Sequence, residues 1–221
     1  MIVAAGAGVR AGPGDPKQFR PVHGVPLLLR ALRPFVAHPA VDRVVVTLPA
    51  GFAERPPEWL AVLRGNRLRC TAGGATRADS VRAGLAALEP LPPVVLVHDG
   101  VRPFVARGTI DAVIARARTG VGAVAAIPMS DTVKEIRDDG RVARTIARQR
   151  LWRAQTPQGF PSAMLAAAYA RQGGDPEPTD DAEVAERAGF QVEVVAGSPY
   201  NIKVTSSDDW RLAEALAREL P

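Results

Sequence analysis

Apolar residues along this chain fall into two patterns: short unbroken runs, and longer stretches spaced by three and four. The runs cover residues 1–4, 43–48, 94–97 and 121–127, and each is short enough and apolar enough to predict a buried strand. The spaced stretches predict helices over 25–38, 75–88, 109–118, 161–171, 179–188 and 206–220. In the first of these, Val25, Leu28, Leu29, Leu32 and Phe35 form the apolar face. Pro26 suits the first turn, whereas Pro34 is expected to kink or end that helix early. Thr179 reads as an N-cap and Gly189 as a stop, and Thr205 or Ser206 as the cap of the last helix. Residues 190–195 and 201–205 predict two further strands.

Continuous apolar strands alternating with helices predict an α/β fold: a Rossmann-like, mainly parallel sheet flanked by helices on both faces. Ligands of such sheets lie beyond the carboxyl ends of the strands. Residues 5–17, 72–80 and 98–102 fall there. The alternation breaks at 132–136 and 142–146, which flank Asp138-Asp139-Gly140, a hairpin turn. Lys134, Arg137, Arg141 and Arg144 make this hairpin polar. The expected organisation is one domain over 1–221 with a β-arm at 130–149. Such an arm is either exchanged with a second copy or left as a solvated flap.

Composition narrows the function classes. The 221 residues are 47% hydrophobic, enough for a real core, and no apolar run reaches membrane length. Residues 1–10 show no basic segment followed by an apolar one, so no secretory signal is visible. Cys70 is the single cysteine, which excludes an internal disulfide and makes the cytoplasm the default location. The formal charge is +5, which raises the question of nucleic acid. The cations are scattered and aromatics are only 5%, so stacking platforms are scarce and an anionic small substrate is preferred.

The candidate chemistry begins at Ala4-Ala5-Gly6-Ala7-Gly8-Val9-Arg10, followed by Pro16-Lys17-Gln18-Phe19. Small residues let backbone N–H groups approach a triphosphate, and Arg10 and Lys17 add positive charge. Further motifs follow in order: Gly73-Gly74, Arg77-Ala78-Asp79-Ser80-Val81, His98-Asp99 with Arg102-Pro103, Asp131-Thr132-Val133-Lys134, Leu151-Trp152, Thr156-Pro157-Gln158, Thr179-Asp180 and Asn201-Ile202-Lys203-Val204-Thr205. From Val3 to the final helix, this series resembles the 2-C-methyl-D-erythritol 4-phosphate cytidylyltransferase family.

That resemblance implies transfer of a cytidylyl group from CTP to methylerythritol 4-phosphate, with Mg²⁺ or another divalent cation, in a homodimer. The nucleophile is a phosphate oxygen, already an anion, so no general base is needed; positioning and cationic electrostatics carry the chemistry. By resemblance, Arg10 and Lys17 match transition-state stabilisers. Arg148 and Lys203 match the pair that positions the acceptor phosphate, Arg148 acting from the neighbouring subunit's arm. Thr132, Thr156 and Thr179 match substrate-side hydroxyls. Ala4, Ala5, Gly6 and Gly8 match the backbone cradle, Gly74 and Ser80 the cytosine contacts, and Asp99 the ribose and metal region.

Plainer roles stand beside these. Asp79 can cap a helix; His98 is expected to be structural, and Arg102 suits an ion pair. Cys70, Trp152 and Trp210 read as core. The chain also departs from the family pattern. Three residues precede Ala4: either the start codon is assigned late, or the strand anchoring the loop is unusually short, which would weaken the sheet there. Val3 replaces a usual proline, Gly100-Val101 replaces Ala-Ala, and Ala147 replaces a frequent aspartate before Arg148. A cytidylyltransferase for ribitol 5-phosphate remains the alternative. An NAD-dependent oxidoreductase lacks support: the loop has no third glycine, and Thr47-Leu48-Pro49 stands where an acidic residue is required. A non-catalytic nucleotide sensor would need a broken cation set, and Arg10, Lys17 and Lys203 are all present.

Overall fold

The computed structural model describes residues 1–6, 16–61, 63, 67–173 and 176–220. In chain order the elements begin with β1 (Ile2–Val3), β2 (Pro21–Val22), β3 (Val25–Pro26), α1 (Leu27–Val36), β4 (Val44–Leu48), α2 (Ala50–Glu54), α3 (Glu58–Ala61) and β5 (Leu68–Ala72). Then come α4 (Arg77–Ala87), β6 (Val94–Asp99), α5 (Arg107–Ala117), β7 (Gly122–Pro128), β8 (Val133–Ile136) and β9 (Val142–Ile146). The last are β10 (Trp152–Pro161), α6 (Ser162–Arg171), α7 (Asp181–Arg187), β11 (Val192–Ala196) and α8 (Ser207–Glu219).

Seven strands form one sheet in the order β11-β7-β10-β6-β1-β4-β5. Its ladders are parallel except at β10, which runs antiparallel to both β6 and β7. The mainly parallel sheet read from the apolar runs is therefore present, with one reversed strand inside it. Helices cover both faces. Val81 and Leu85 of α4 and Leu165 and Tyr169 of α6 pack with Val95 and Phe160 on one face. Leu28, Leu32 and Phe35 of α1 and Ile110 and Ile114 of α5 pack with Val46 on the other.

The first strand is only two residues long, yet it lies in the middle of the sheet. Ile2 pairs with Val46 on one side and His98 on the other, and its side chain is fully buried. Burying one such side chain contributes about 1.5–3 kcal/mol. Ala4 continues the line by donating to the Thr47 carbonyl at 2.9 Å. The loop is thus anchored by flanking strands rather than by the length of its own.

Several expectations need correction. Residues 201–205 form no strand ladder; Val204 N–H donates to the Val101 carbonyl, and side-chain bonds hold the rest. The helix read over 25–38 begins at Leu27, because Val25 and Pro26 pair back onto Pro21 and Val22 and leave Pro26 as its N-cap. Pro34 lies within the last turn, and the helix ends at Val36. Asp180, not Thr179, caps α7: its carboxylate accepts from Glu183 N–H at 2.8 Å. Trp152 is 47% exposed rather than core, and Trp210 lies half-buried under the Arg20 guanidinium, 4.9 Å from its ring centre. Cys70 is half-buried on β5.

Candidate active site

The strand ends bring the predicted segments together. Ala4 follows β1, Gly73 follows β5, and Asp99 closes β6. Arg10 and Gly8 lie outside the described residues, and Ala4, Ala5 and Gly6 mark the start of their loop. Gln18 holds that start. Its buried side-chain amide donates to the carbonyls of Ala4 at 2.8 Å and Gly6 at 3.2 Å. The same 3₁₀ turn, Lys17–Phe19, carries Lys17, whose ammonium donates to the Val204 carbonyl at 3.2 Å. Lys17 therefore spans from the loop side to the segment that bears Lys203.

The second glycine pair sits against this loop. A Cβ on Gly73 would lie 2.2 Å from the Ala5 Cβ, so only glycine allows the approach. Gly74 N–H donates to the Ser80 hydroxyl at 3.2 Å, and that hydroxyl donates to the Thr76 carbonyl at 2.9 Å. Ser80 thus fixes the turn around Gly74 from inside α4. Thr76 and Asp79 form a reciprocal capping box at the start of that helix, which is the plainer role for Asp79. At Gly100 a Cβ would come within 2.8 Å of the Ala4 Cβ, so the exchange of alanine for glycine relieves a tight spot.

Asp99 is the centre of charge. Its carboxylate lies 3.1 Å from the Lys203 ammonium, 3.4 Å from Arg77 and 3.5 Å from Arg102. Burial opposes ionisation, but Arg77, Lys203 and Arg102 outweigh it and hold the carboxyl well below the usual carboxylate range. Arg77 is itself anchored by buried Asp181 at 2.7 Å, which also accepts from the Tyr169 hydroxyl at 2.6 Å.

Behind Asp99 runs a chain of neutral hydrogen bonds. Asp99 N–H donates to the Thr156 hydroxyl at 3.0 Å, which pairs with His98 Nδ1 at 2.9 Å. His98 Nε2 pairs with the Arg102 carbonyl at 3.1 Å. A carbonyl only accepts, so Nε2 carries the proton and Nδ1 accepts from Thr156. Burial pushes the His98 imidazole down to about 4, although the Arg102 carbonyl and Asp99 oppose that shift. His98 is thus a neutral structural residue, and the Thr156 hydroxyl is committed on both its donor and one acceptor site.

Asn201 completes the support of Lys203. Its amide donates to the Thr156 carbonyl at 2.7 Å, and its backbone carbonyl accepts from Arg102 at 2.8 Å. The remaining acceptor-side residues are not gathered here. Thr132 is exposed before β8, and Thr179 is exposed with its hydroxyl on Glu183 at 2.8 Å. Arg148 is exposed at the foot of the arm and donates to the Ser130 carbonyl. Sequence reasoning does not single out Gln18, Arg77, Asn201 and Asp181 as individual residues. Their signal is weak: Gln18, Arg77 and Asn201 are visible only inside motifs, and Asp181 resembles an ordinary first-turn charge.

A groove of about 590 Å³ opens beside this cluster, lined by Lys17, Arg20, Val204, Thr205 and Trp210 among others. An apolar cleft at the opposite strand ends, lined by Ile2, Phe35, Val95 and Leu96, carries none of the motif residues. Cations gathered where the strands end, beside a glycine-bearing turn, place the protein among nucleotidyltransferases. The profile of the 2-C-methyl-D-erythritol 4-phosphate cytidylyltransferase family (IspD) matches residues 1–219. The chain belongs to this family.

Similar proteins agree. A Syntrophus aciditrophicus 2-C-methyl-D-erythritol 4-phosphate cytidylyltransferase is 39% identical over 226 residues, covering 99% of this chain and 95% of that protein. The Caulobacter vibrioides bifunctional enzyme IspD/IspF is 45% identical over 219 residues. This chain spans only about half of that protein, 56% of its length. The crystal structure of the Thermus thermophilus 2-C-methyl-D-erythritol 4-phosphate cytidylyltransferase superimposes with a TM-score of 0.81 at 37% identity, covering 98% of this chain and 97% of that one.

Proposed function

We propose that this protein transfers the cytidylyl group of CTP to 2-C-methyl-D-erythritol 4-phosphate, giving 4-diphosphocytidyl-2-C-methyl-D-erythritol and pyrophosphate. The observation that carries the reading is the convergence of Lys17 and Lys203. One donates to Val204, and the other, the chain neighbour of Val204, sits on Asp99. An oxygen of the acceptor phosphate attacks the α-phosphorus of CTP. As that bond forms, the bond from the α-phosphorus to the bridging oxygen breaks, and pyrophosphate leaves with the electron pair. No proton has to move, which agrees with a neutral, fully engaged His98. Lys17 and Arg10 stabilise the charge that builds around the α-phosphate, and Lys203 positions the acceptor.

A divalent cation, Mg²⁺ or another, would neutralise the triphosphate when bound. Asp99 would be its carboxylate ligand, with phosphate and water oxygens completing the shell, and the ion would have to share Asp99 with Lys203, Arg77 and Arg102.

The working unit is a homodimer in the cytoplasm, with Arg148 and Thr132 supplied to the acceptor by the neighbouring subunit's arm. Ile136 and Val142 support this: they are paired across the arm and are 65% and 54% exposed. Among the described residues no helix is long and apolar enough to cross a membrane. Deleting residues 134–145 is expected to give monomers by light scattering, and persisting dimers would remove the arm from the interface.

The activity is tested by pyrophosphate release with CTP against other nucleotides, and with methylerythritol 4-phosphate against ribitol 5-phosphate. Release with CTP and methylerythritol 4-phosphate is expected. Release with ribitol 5-phosphate alone would overturn the reading.

A further inference from the structure

Arg77 stands between two carboxylates and treats them unequally. Its Nη2 donates to Asp181 at 2.7 Å, whereas its Nε and Nη2 both stay 3.4 Å from Asp99. Charge-assisted hydrogen bonds normally close to about 2.7–2.9 Å, so the first contact is at full strength, whereas the two bonds to Asp99 Oδ1 are long and weak. Asp181 is fixed in turn. It is fully buried and receives the Tyr169 hydroxyl at 2.6 Å on its other oxygen. Asp181 belongs to α7, Tyr169 to α6, Arg77 to α4 and Asp99 to β6.

The anchoring is reinforced from a second direction. Gln158 on β10 accepts from Ala182 N–H at 2.8 Å and donates to Asp180 at 2.8 Å, so the start of α7 is pinned to the sheet. Asp181 cannot follow the guanidinium toward the strand ends. Removing its charge would leave Arg77 with Asp99 as its remaining carboxylate partner. The guanidinium would then close on the oxygen that Lys203 leaves open, since Lys203 uses the other one.

We propose that Asp181 is a positioning residue for cytidylyl transfer: it holds Arg77 back so that Arg77 keeps only long bonds to one Asp99 oxygen, which stays available to the reactants. The role of Asp99 in this statement rests on the function proposed above, but the restraint on Arg77 does not.

Two measurements separate these. In a crystal structure of Asp181→Asn, the Arg77–Asp99 contact is expected to shorten from 3.4 Å to about 2.8 Å. A contact that stays open or lengthens overturns the proposal, whatever the substrate. In the pyrophosphate assay, Asp181→Asn is expected to lose at least about tenfold in kcat. The double variant Asp181→Asn/Arg77→Gln is expected to regain at least about threefold, because no guanidinium remains to occupy Asp99.

A residue that only supports the fold would restore Tm in the double variant without restoring kcat, and that result also overturns the proposal. A parent protein inactive on both acceptors would defeat the functional reading alone, the crystal structure still deciding this one. If Asp181→Asn does not fold, Tyr169→Phe loosens Asp181 and is expected to shorten the same contact by less; an unchanged contact there counts against the proposal.

Discussion

The cluster around Asp99 and the β8–β9 arm are both dense in charge, and water decides what each does with it. Around Asp99 the carboxylates and Arg102 are buried while Lys203 reaches the surface, and most of the bonds run between elements, with Arg102 Nε and the Asn201 side-chain oxygen left without a hydrogen bond. Asp99, Asp181 and Arg102 are each at least nine-tenths buried, and the bonds among them cross α4, α7, β6 and the 201–205 segment. In the arm, Arg144 pairs with Glu135 and Lys134 with Thr145, all exposed and all within one hairpin. Buried charges must be met by fixed partners, so they fix geometry; solvated charges constrain little. The buried cluster is therefore built by one chain, while the arm offers its apolar pair and Arg148 outward.

The largest expected effect lies where a buried network presents a cation to the reactants. Lys17→Ala is expected to lower kcat by about 10²–10³-fold, the cost of one preorganised transition-state contact. Circular dichroism should be unchanged, and a kcat within about threefold of the parent would remove Lys17 from that role.

Next comes Asn201→Ala, which removes the amide from the Thr156 carbonyl. Leaving buried groups unsatisfied costs about 1–3 kcal/mol, to be read from chemical denaturation. A neutral result would mean that the remaining bonds, from Arg102 to the Asn201 carbonyl and from Val204 N–H to Val101, hold the 201–205 segment without the asparagine side chain.

A smaller effect should appear with pH. His98 titrates near 4 in the folded state, below its usual 6.5, so between these values the unfolded chain binds the extra proton. Its contribution to stability is full above about 6.5 and is lost as pH falls toward 4. His98→Asn is expected to flatten this part of the Tm–pH curve; an unchanged slope would show that other groups produce it.

The smallest effect belongs to the arm. Arg144→Ala is expected to change stability by no more than about 1 kcal/mol, as exposed pairs do. A larger loss would mean that the arm is structured by its own charges, and the contrast would fail.

The same contrast explains what the sequence makes legible. Strands β4, β6 and β7 are visible because burial on both faces demands unbroken apolar runs. The β5 strand, Leu-Arg-Cys-Thr-Ala, escapes notice because an edge strand with half-exposed residues needs no such run. Most of β10 is hidden for another reason. Gln155, Thr156 and Gln158 are buried there, and their side chains find partners only in the folded chain. Asp99 stands out as a charge at the end of an apolar run, and Lys203 as a charge between Ile202 and Val204. Asp181 does not, because Asp180-Asp181 at a helix start looks like capping, and only Asp180 caps. Residues 201–205 look like a strand because Ile202 and Val204 alternate with polar neighbours, yet the segment is pinned by an asparagine side chain instead of a ladder.

Gln18 carries a lesson for anyone altering the start of this chain's opening loop. One amide grips two carbonyls of the opening loop, and the next residue back is the lysine that reaches Val204. The start of the loop and the lysine therefore share one support. A backbone shift at Ala4 or Gly6 would be passed through Gln18 to Lys17, and so to its hold on Val204.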